Sequence, residues 1–199
     1  MRPVRLYLRR TGIDELPSGL VERLQRAQPE ARADFFRRYA PQVRRILYLQ
    51  GLCEEVDDAV QEVFIKVFRA RLPQQEVFLG WFYRVILNTG RDLGRRRKTR
   101  FGLVDRLARV APARVTEDEP RAADPALRAA LAALPVEFRE TVALRFFADM
   151  ALEEIAQTQQ VPLGTVKSRL HSAMARLRTA LTTDAAPSAR VSPTKDGHD

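Results

Sequence analysis

The stretch richest in chemical content runs from Asp149 to Arg178. Leu152-Glu-Glu-Ile-Ala156 starts a short amphipathic helix, Val161-Pro-Leu-Gly164 reads as a turn, and a second amphipathic helix follows. Thr165 can cap that second helix through its hydroxyl, while Val166 and Leu170 are spaced to face inward. Lys167, Ser168, Arg169 and His171 are then left near its exposed N-terminal turns. A helix-turn-helix of this polarity presents its second helix to the DNA major groove. His171 also fits a plain surface position.

A second basic element lies well upstream. Arg84, Asn88, Arg91 and Arg95 recur at i, i+4, i+7 and i+11, a polar stripe opposite Trp81 and Val85, and Arg96, Arg97, Lys98 and Arg100 follow. Arginines on such a stripe can grip phosphates, and asparagine can hydrogen-bond a base edge. Trp81 fits either a stacked base or a core anchor. Asp92 is placed to orient Arg95 or Arg96. Gly90 and Gly94 each cost about 1 kcal/mol against alanine inside a helix, which predicts a close approach of another backbone or a helix end at Gly94.

A third element is acidic. Asp57, Asp58, Gln61 and Glu62 share one helical face opposite Val56, Val60, Val63 and Phe64. An acidic face on a basic protein suits a basic protein surface rather than DNA. Spacing alone fits an ordinary solvated face better.

The elements that must position these residues are helical. Phe35, Tyr39, Val43, Ile46 and Leu47 form one apolar stripe, with Pro41 expected to kink or restart its helix; Phe78, Trp81, Phe82, Val85, Ile86 and Leu93 form another. Leu127, Leu131 and Leu134 precede Phe138, Val142 and Phe146, and Leu170, Ala173, Met174, Leu177 and Leu181 continue the last helix. The class is all-α: two small helical domains joined by a flexible linker, the C-terminal one a helix-turn-helix. The expected division is a 1–19 extension, a 20–100 helical domain, a 101–125 linker carrying Pro112, Pro120 and Pro125, a 126–182 helical domain, and a disordered 183–199 tail. Strand-like alternation is confined to Val4-Arg5-Leu6-Tyr7-Leu8.

Composition narrows the function. The formal charge is +9 over 199 residues, with pI near 10.5, and it is clustered. From Ile155 to Thr183 there is no acid, and around Arg84 to Arg100 only Asp92 opposes the arginines. Clustering of this kind favours a nucleic-acid partner over generic solubility. One cysteine and two histidines exclude an internal disulfide and a cysteine zinc cluster. No apolar run approaches the roughly 20 residues of a membrane span, so no membrane insertion, no cofactor and no metal are expected, in a cytoplasmic protein.

Together these strings resemble bacterial sigma factors of the extracytoplasmic-function group. Those that carry the resemblance are Asp57-Asp-Ala-Val-Gln-Glu-Val-Phe64, Trp81-Phe-Tyr-Arg-Val-Ile-Leu-Asn88, Leu134-Pro135, Glu153-Glu-Ile-Ala156 and Gly164-Thr-Val-Lys-Ser-Arg169. The resemblance implies that Asp58, Gln61, Glu62 and Phe64, with Asp57 beside them, dock on core RNA polymerase. It implies that Trp81, Arg84, Asn88, Arg91, Arg95 and Arg96 open and hold the minus-ten element. Thr165, Lys167, Ser168, Arg169 and His171 would read the minus-thirty-five element as duplex, and an anti-sigma factor would cover these surfaces. The chain departs from the family in its short Ala70–Val77 loop, in Ala151 where a capping serine or threonine is usual, and in Ser172 where arginine is common. A stand-alone helix-turn-helix regulator is the alternative, and it leaves the acidic and upstream basic helices idle. A nucleic-acid-processing enzyme would need clustered metal-binding carboxylates or a phosphate loop, so no catalytic residue is assigned.

Overall fold

The computed structural model describes residues 16–53, 55–101 and 125–184. They form eight helices and, among the described residues, no strand: α1 (Leu20–Gln25), α2 (Pro29–Leu49), α3 (Val56–Arg69), α4 (Gln75–Phe101), α5 (Pro125–Ala133), α6 (Val136–Phe146), α7 (Leu152–Gln159) and α8 (Leu163–Asp184). The all-α expectation holds. Phe101 closes α4 and Pro125 opens α5, so the rest of the expected linker, with Pro112 and Pro120, lies outside the described residues. So do the Val4–Leu8 alternation and the tail beyond Asp184. Thr183 and Asp184, expected in the tail, continue α8.

Pro29 opens α2 at its first turn, where a missing amide donor costs nothing. The helix then runs 21 residues with Pro41 inside it, so the expected restart does not occur. Ala31, Phe35, Tyr39, Val43, Ile46 and Leu47 are all buried and hold the helix together across the lost hydrogen bond. Its end is sharp. Gly51 takes a φ of +96°, its amide bonds the Tyr48 carbonyl at 2.9 Å, and the amide of buried Leu52 bonds the Leu47 carbonyl at 3.3 Å. That pairing is a Schellman stop, which favours glycine at this position.

The aromatic residues of α2, α3 and α4 interlock around Phe35, whose ring centroid lies 5.0 Å from Phe82, 5.6 Å from Phe78 and 5.7 Å from Phe64. Burying each such ring contributes about 1.5–3 kcal/mol. The second helical group is built on α6, whose residues Glu140, Thr141, Val142, Ala143 and Leu144 are all buried. A helix covered on every side must be packed on every side, and α6 lies between α8 and α2 while α7 packs against α4. The main apolar cluster accordingly runs from Leu20 through Phe35 and Phe82 into Leu144, Met150, Ile155 and Val166. A smaller cluster of Ala130, Leu131, Leu134, Val142, Ala173 and Leu177 joins α5 to α8. The two helical groups, expected as two small domains joined by a flexible linker, pack together through this cluster.

Candidate polymerase and nucleic-acid interfaces

The acidic face begins where α3 begins. Asp57 and Asp58 occupy its first turn, where unpaired amides favour negative charge, and Lys66 and Arg69 occupy its last. Asp57, Asp58 and Gln61 are exposed. Asp57 accepts a charged hydrogen bond from Arg44. Glu62 is half-buried; its carboxylate lies 2.8 Å from Lys66 Nζ and 3.9 Å from an Arg96 nitrogen. The structure thus ties one polymerase candidate to one promoter candidate. Phe64 does not join the exposed face. It is 3% exposed and sits in the aromatic core beside Phe35, Phe36, Phe68 and Phe82, where it holds α3 against α2 and α4.

Along α4 the polar stripe forms as spaced, with a divided fate. Asn88 is exposed, as are Arg95 and Arg96. Asp92 orients Arg95 at 2.5 Å, as the spacing predicts. Trp81 is half-buried, its ring centroid 5.8 Å from that of Phe78, so it anchors α4 while keeping an edge outside. Arg84 and Arg91 instead meet the second helical group. Arg84 donates to the backbone carbonyls of Gln157 at 2.9 Å and Thr158 at 3.2 Å. Arg91 forks onto the Glu140 carboxylate: Nε donates at 2.8 Å and a terminal nitrogen completes the fork. Glu140 is wholly buried, and its hydrogen bond holds the Arg91 guanidinium above its ordinary pKa. Neighbouring Arg139 is pushed the other way, down, by burial.

The glycines behave differently from expectation. The helix does not end at Gly94, which has nothing within 4 Å of a would-be Cβ. Gly90 is buried against a side chain rather than a backbone: a Cβ there would overlap the Gln50 amide. That amide donates to Glu140 at 3.1 Å, so glycine at 90 makes room for the group that completes the Glu140 site.

In the helix-turn-helix, α7 ends at Gln159, Gln160 caps it in the left-handed region (φ 56°) and α8 begins at Leu163, so the turn is Gln160-Val161-Pro162. It starts one residue and ends two residues earlier than the sequence predicts. Gly164 and Thr165 therefore lie inside the first turn of α8, and Thr165 donates its amide to Pro162 at 2.9 Å instead of capping the helix. At α7 the Glu154 carboxylate accepts the Ala151 amide at 2.7 Å. Alanine returns no side-chain bond, which forfeits about 1 kcal/mol. Val166 is fully buried, as its spacing predicts, and Lys167, Ser168 and His171 are exposed. Arg169 is half-buried and donates to Gln159 Oε1 at 3.2 Å, an oxygen that also accepts from buried Thr141 at 3.1 Å. Sequence reasoning missed Glu140, Gln50, Gln159 and Thr141. Nothing local in the sequence marks Glu140 as buried or names its partner Arg91, 49 residues away.

Two family profiles match the chain. Residues 35–100 match Sigma-70 region 2 and residues 130–179 match Sigma-70, region 4. Over 154 residues the chain is 38% identical to the ECF RNA polymerase sigma factor SigE of Mycolicibacterium smegmatis, covering 73% of this chain and 59% of that protein. The chain thus spans less than two thirds of that relative. It is 32% identical over 127 residues to the RNA polymerase sigma factor SigV of Bacillus subtilis, covering 64% of this chain and 74% of that protein. Among solved structures, CnrH in complex with the cytosolic domain of CnrY superposes with a TM-score of 0.61 at 23% identity, over 83% of this chain and 97% of that one. The sigma factor RpoE of Bartonella quintana, solved with the anti-sigma factor NepR, gives 0.54 at 19% identity, over 76% and 98%. These two establish likeness of fold. With both regions in order on one chain and a sigma factor matched over most of its length, this chain belongs to the sigma-70 family, in its extracytoplasmic-function group.

Proposed function

We propose that the chain is an alternative sigma factor that binds core RNA polymerase and directs transcription to particular promoters. In this reading residues 20–100 contact polymerase and the minus-ten element, 101–125 link, and 126–182 read the minus-thirty-five element. Residues 1–19 and 183–199 stand outside these tasks. The observation that carries the reading is the separation of charge over three faces of one chain: exposed Asp57, Asp58 and Gln61 on α3, the Asn88–Arg96 stripe on α4, and Lys167, Ser168 and His171 at the start of α8. The acids on α3 suit a basic polymerase surface and repel DNA. Asn88 with Arg84, Arg91, Arg95 and Arg96 suits a melted strand, which offers phosphates and unpaired base edges together. The N-terminal turns of α8 suit duplex DNA.

The protein carries out no chemistry of its own in this account; it positions the polymerase that does. No helix among the described residues is long and apolar enough to cross a membrane, and a cytoplasmic location fits a partner of polymerase. An anti-sigma factor is a further proposed partner, supported by the complex in which the RpoE neighbour was solved. Run-off transcription with core polymerase over a genomic fragment library tests the function. The expected result is a discrete set of start sites that share two upstream elements. Well-folded protein that directs polymerase to no start site overturns the reading.

A further inference from the structure

The exposed side of α3 carries more than acid. Asp58, Gln61, Ile65 and Arg69 recur at i, i+3, i+7 and i+11, so they form one stripe along the helix, and all four are exposed. The stripe is acidic at its first turn, basic at its last and apolar between. Helix-dipole preference accounts for the two charged ends. It does not account for the middle, where Ile65 is 48% exposed. Phe36 of α2, 42% exposed, stands beside α3 there, its ring centroid 4.7 Å from that of Phe64. The two helices run antiparallel: Arg44 of α2 meets Asp57 at the acidic end, and Arg32 lies over the Phe68 ring at 5.1 Å at the basic end. Between these ends a groove of about 600 Å³ has walls that include Phe36, Ala40, Pro41 and Phe68, with Arg32 and Arg37. We propose that this face binds the same face of a second copy of the chain. The pairing is two-fold and sets the acidic end of each stripe against the basic end of the other.

A face of this kind is its own complement. Asp58 and Arg69 lie about 16 Å apart along α3 at about 1.5 Å per residue. A two-fold axis between Gln61 and Ile65 carries Asp58 to the partner's Arg69 and Arg69 to the partner's Asp58. The apolar middles then cover each other, which removes Ile65 and Phe36 from water. Charge favours this orientation over others. Two chains of +9 repel over most approaches, and the acids of α3 supply the opposite sign at this face. The second helical group leaves the face open: it meets α2 through Gln42 and Gln50, and Phe36 and Ile65 stay exposed with it in place. Exposed ion pairs contribute little each, and so few residues bury less than the about 1,600 Å² of a standard interface. The dimer is therefore weak and reversible, with a Kd of about 10–100 µM. Asp58 and Gln61 also belong to the face proposed for core polymerase, so a paired chain cannot engage polymerase. That competition rests on the sigma-factor reading; the pairing does not.

Sedimentation of the full-length protein tests the two separately. Wild type should pass from monomer towards dimer as its concentration rises from about 1 to about 300 µM. Asp58→Lys makes the stripe basic at both ends, and Arg69→Glu makes it acidic at both ends. Each variant alone then sets like charges together at both contacts and should lose at least about tenfold in self-affinity. Mixed in equal amounts the two should pair, because both contacts between unlike chains join opposite signs. A folding defect does not produce association in the mixture alone. Wild type that stays monomeric throughout overturns the pairing, as do single variants that dimerise like wild type, or a mixture that stays monomeric. Core polymerase added to wild type at a concentration where dimer is populated should bind it and lower the dimer fraction. Polymerase that binds while the dimer persists overturns the competition. Polymerase that binds neither form overturns the sigma-factor reading, and the competition with it, while the pairing stands on the variants.

Discussion

Asn88 and Arg91 stand one turn apart on α4, and the structure gives them different work. Asn88 reaches solvent, whereas Arg91 is spent on Glu140 until that bond breaks. Asn88→Ala should therefore impair strand opening more than closed-complex formation, by about 1–3 kcal/mol if it reads a base edge. Permanganate reactivity of the promoter checks this, and unchanged reactivity removes Asn88 from the residues that hold the melted strand. The glycines give a paired prediction. Gly94→Ala meets open space and should raise stability by about 0.5–1 kcal/mol. Gly90→Ala must expel the Gln50 amide from Glu140, at a cost of about 1–3 kcal/mol that helix propensity offsets only in part. Thermal melts should move in opposite directions for the two variants. None of this was legible locally. Gly90 and Gly94 look alike in the sequence, and what distinguishes them is the end of α2, 40 residues upstream of Gly90.

Among the elements, the helices were legible because their apolar periods are long and regular. The stripe Phe35, Tyr39, Val43, Ile46, Leu47 survives even a proline, since these five buried residues and Ala31 outweigh one missing donor. The boundary of α8 was not legible. Gly164 and Thr165 look like turn and cap, but the chain reverses at Gln160, whose left-handed conformation no residue type announces. This shift moves Lys167 and Arg169 deeper into the helix, with Lys167 exposed and Arg169 half-buried. Lys167→Ala with Arg169→Ala should weaken promoter binding and flatten its log–log salt slope by about 0.9 for each phosphate no longer gripped. Because Gln159, itself held by Thr141, holds the Arg169 side chain, Gln159→Ala should weaken binding less, with a smaller change in slope. A slope that stays at the wild-type value in the double variant shows that this face does not meet phosphate.

At the scale of the molecule, the sequence reveals three charged faces but not their packing. Two helical groups joined through proline-rich sequence suggest independence. In fact they share a core, because α6 is buried around its circumference from Glu140 to Leu144 and needs α2 as well as α8. The partition of charge on which the proposed function rests is nonetheless written in the chain and kept by the fold. The acidic face offers the sharpest probe, provided the variant avoids Glu62, whose reversal would also disturb Lys66 and Arg96. Asp58→Lys with Gln61→Lys reverses the exposed face alone. The decisive measurement is the affinity of this variant for core RNA polymerase, set beside that of Lys167→Ala with Arg169→Ala. The account predicts a loss of at least about tenfold, some 1.4 kcal/mol, for the α3 variant and wild-type affinity for the other. Wild-type affinity in the α3 variant would contradict it.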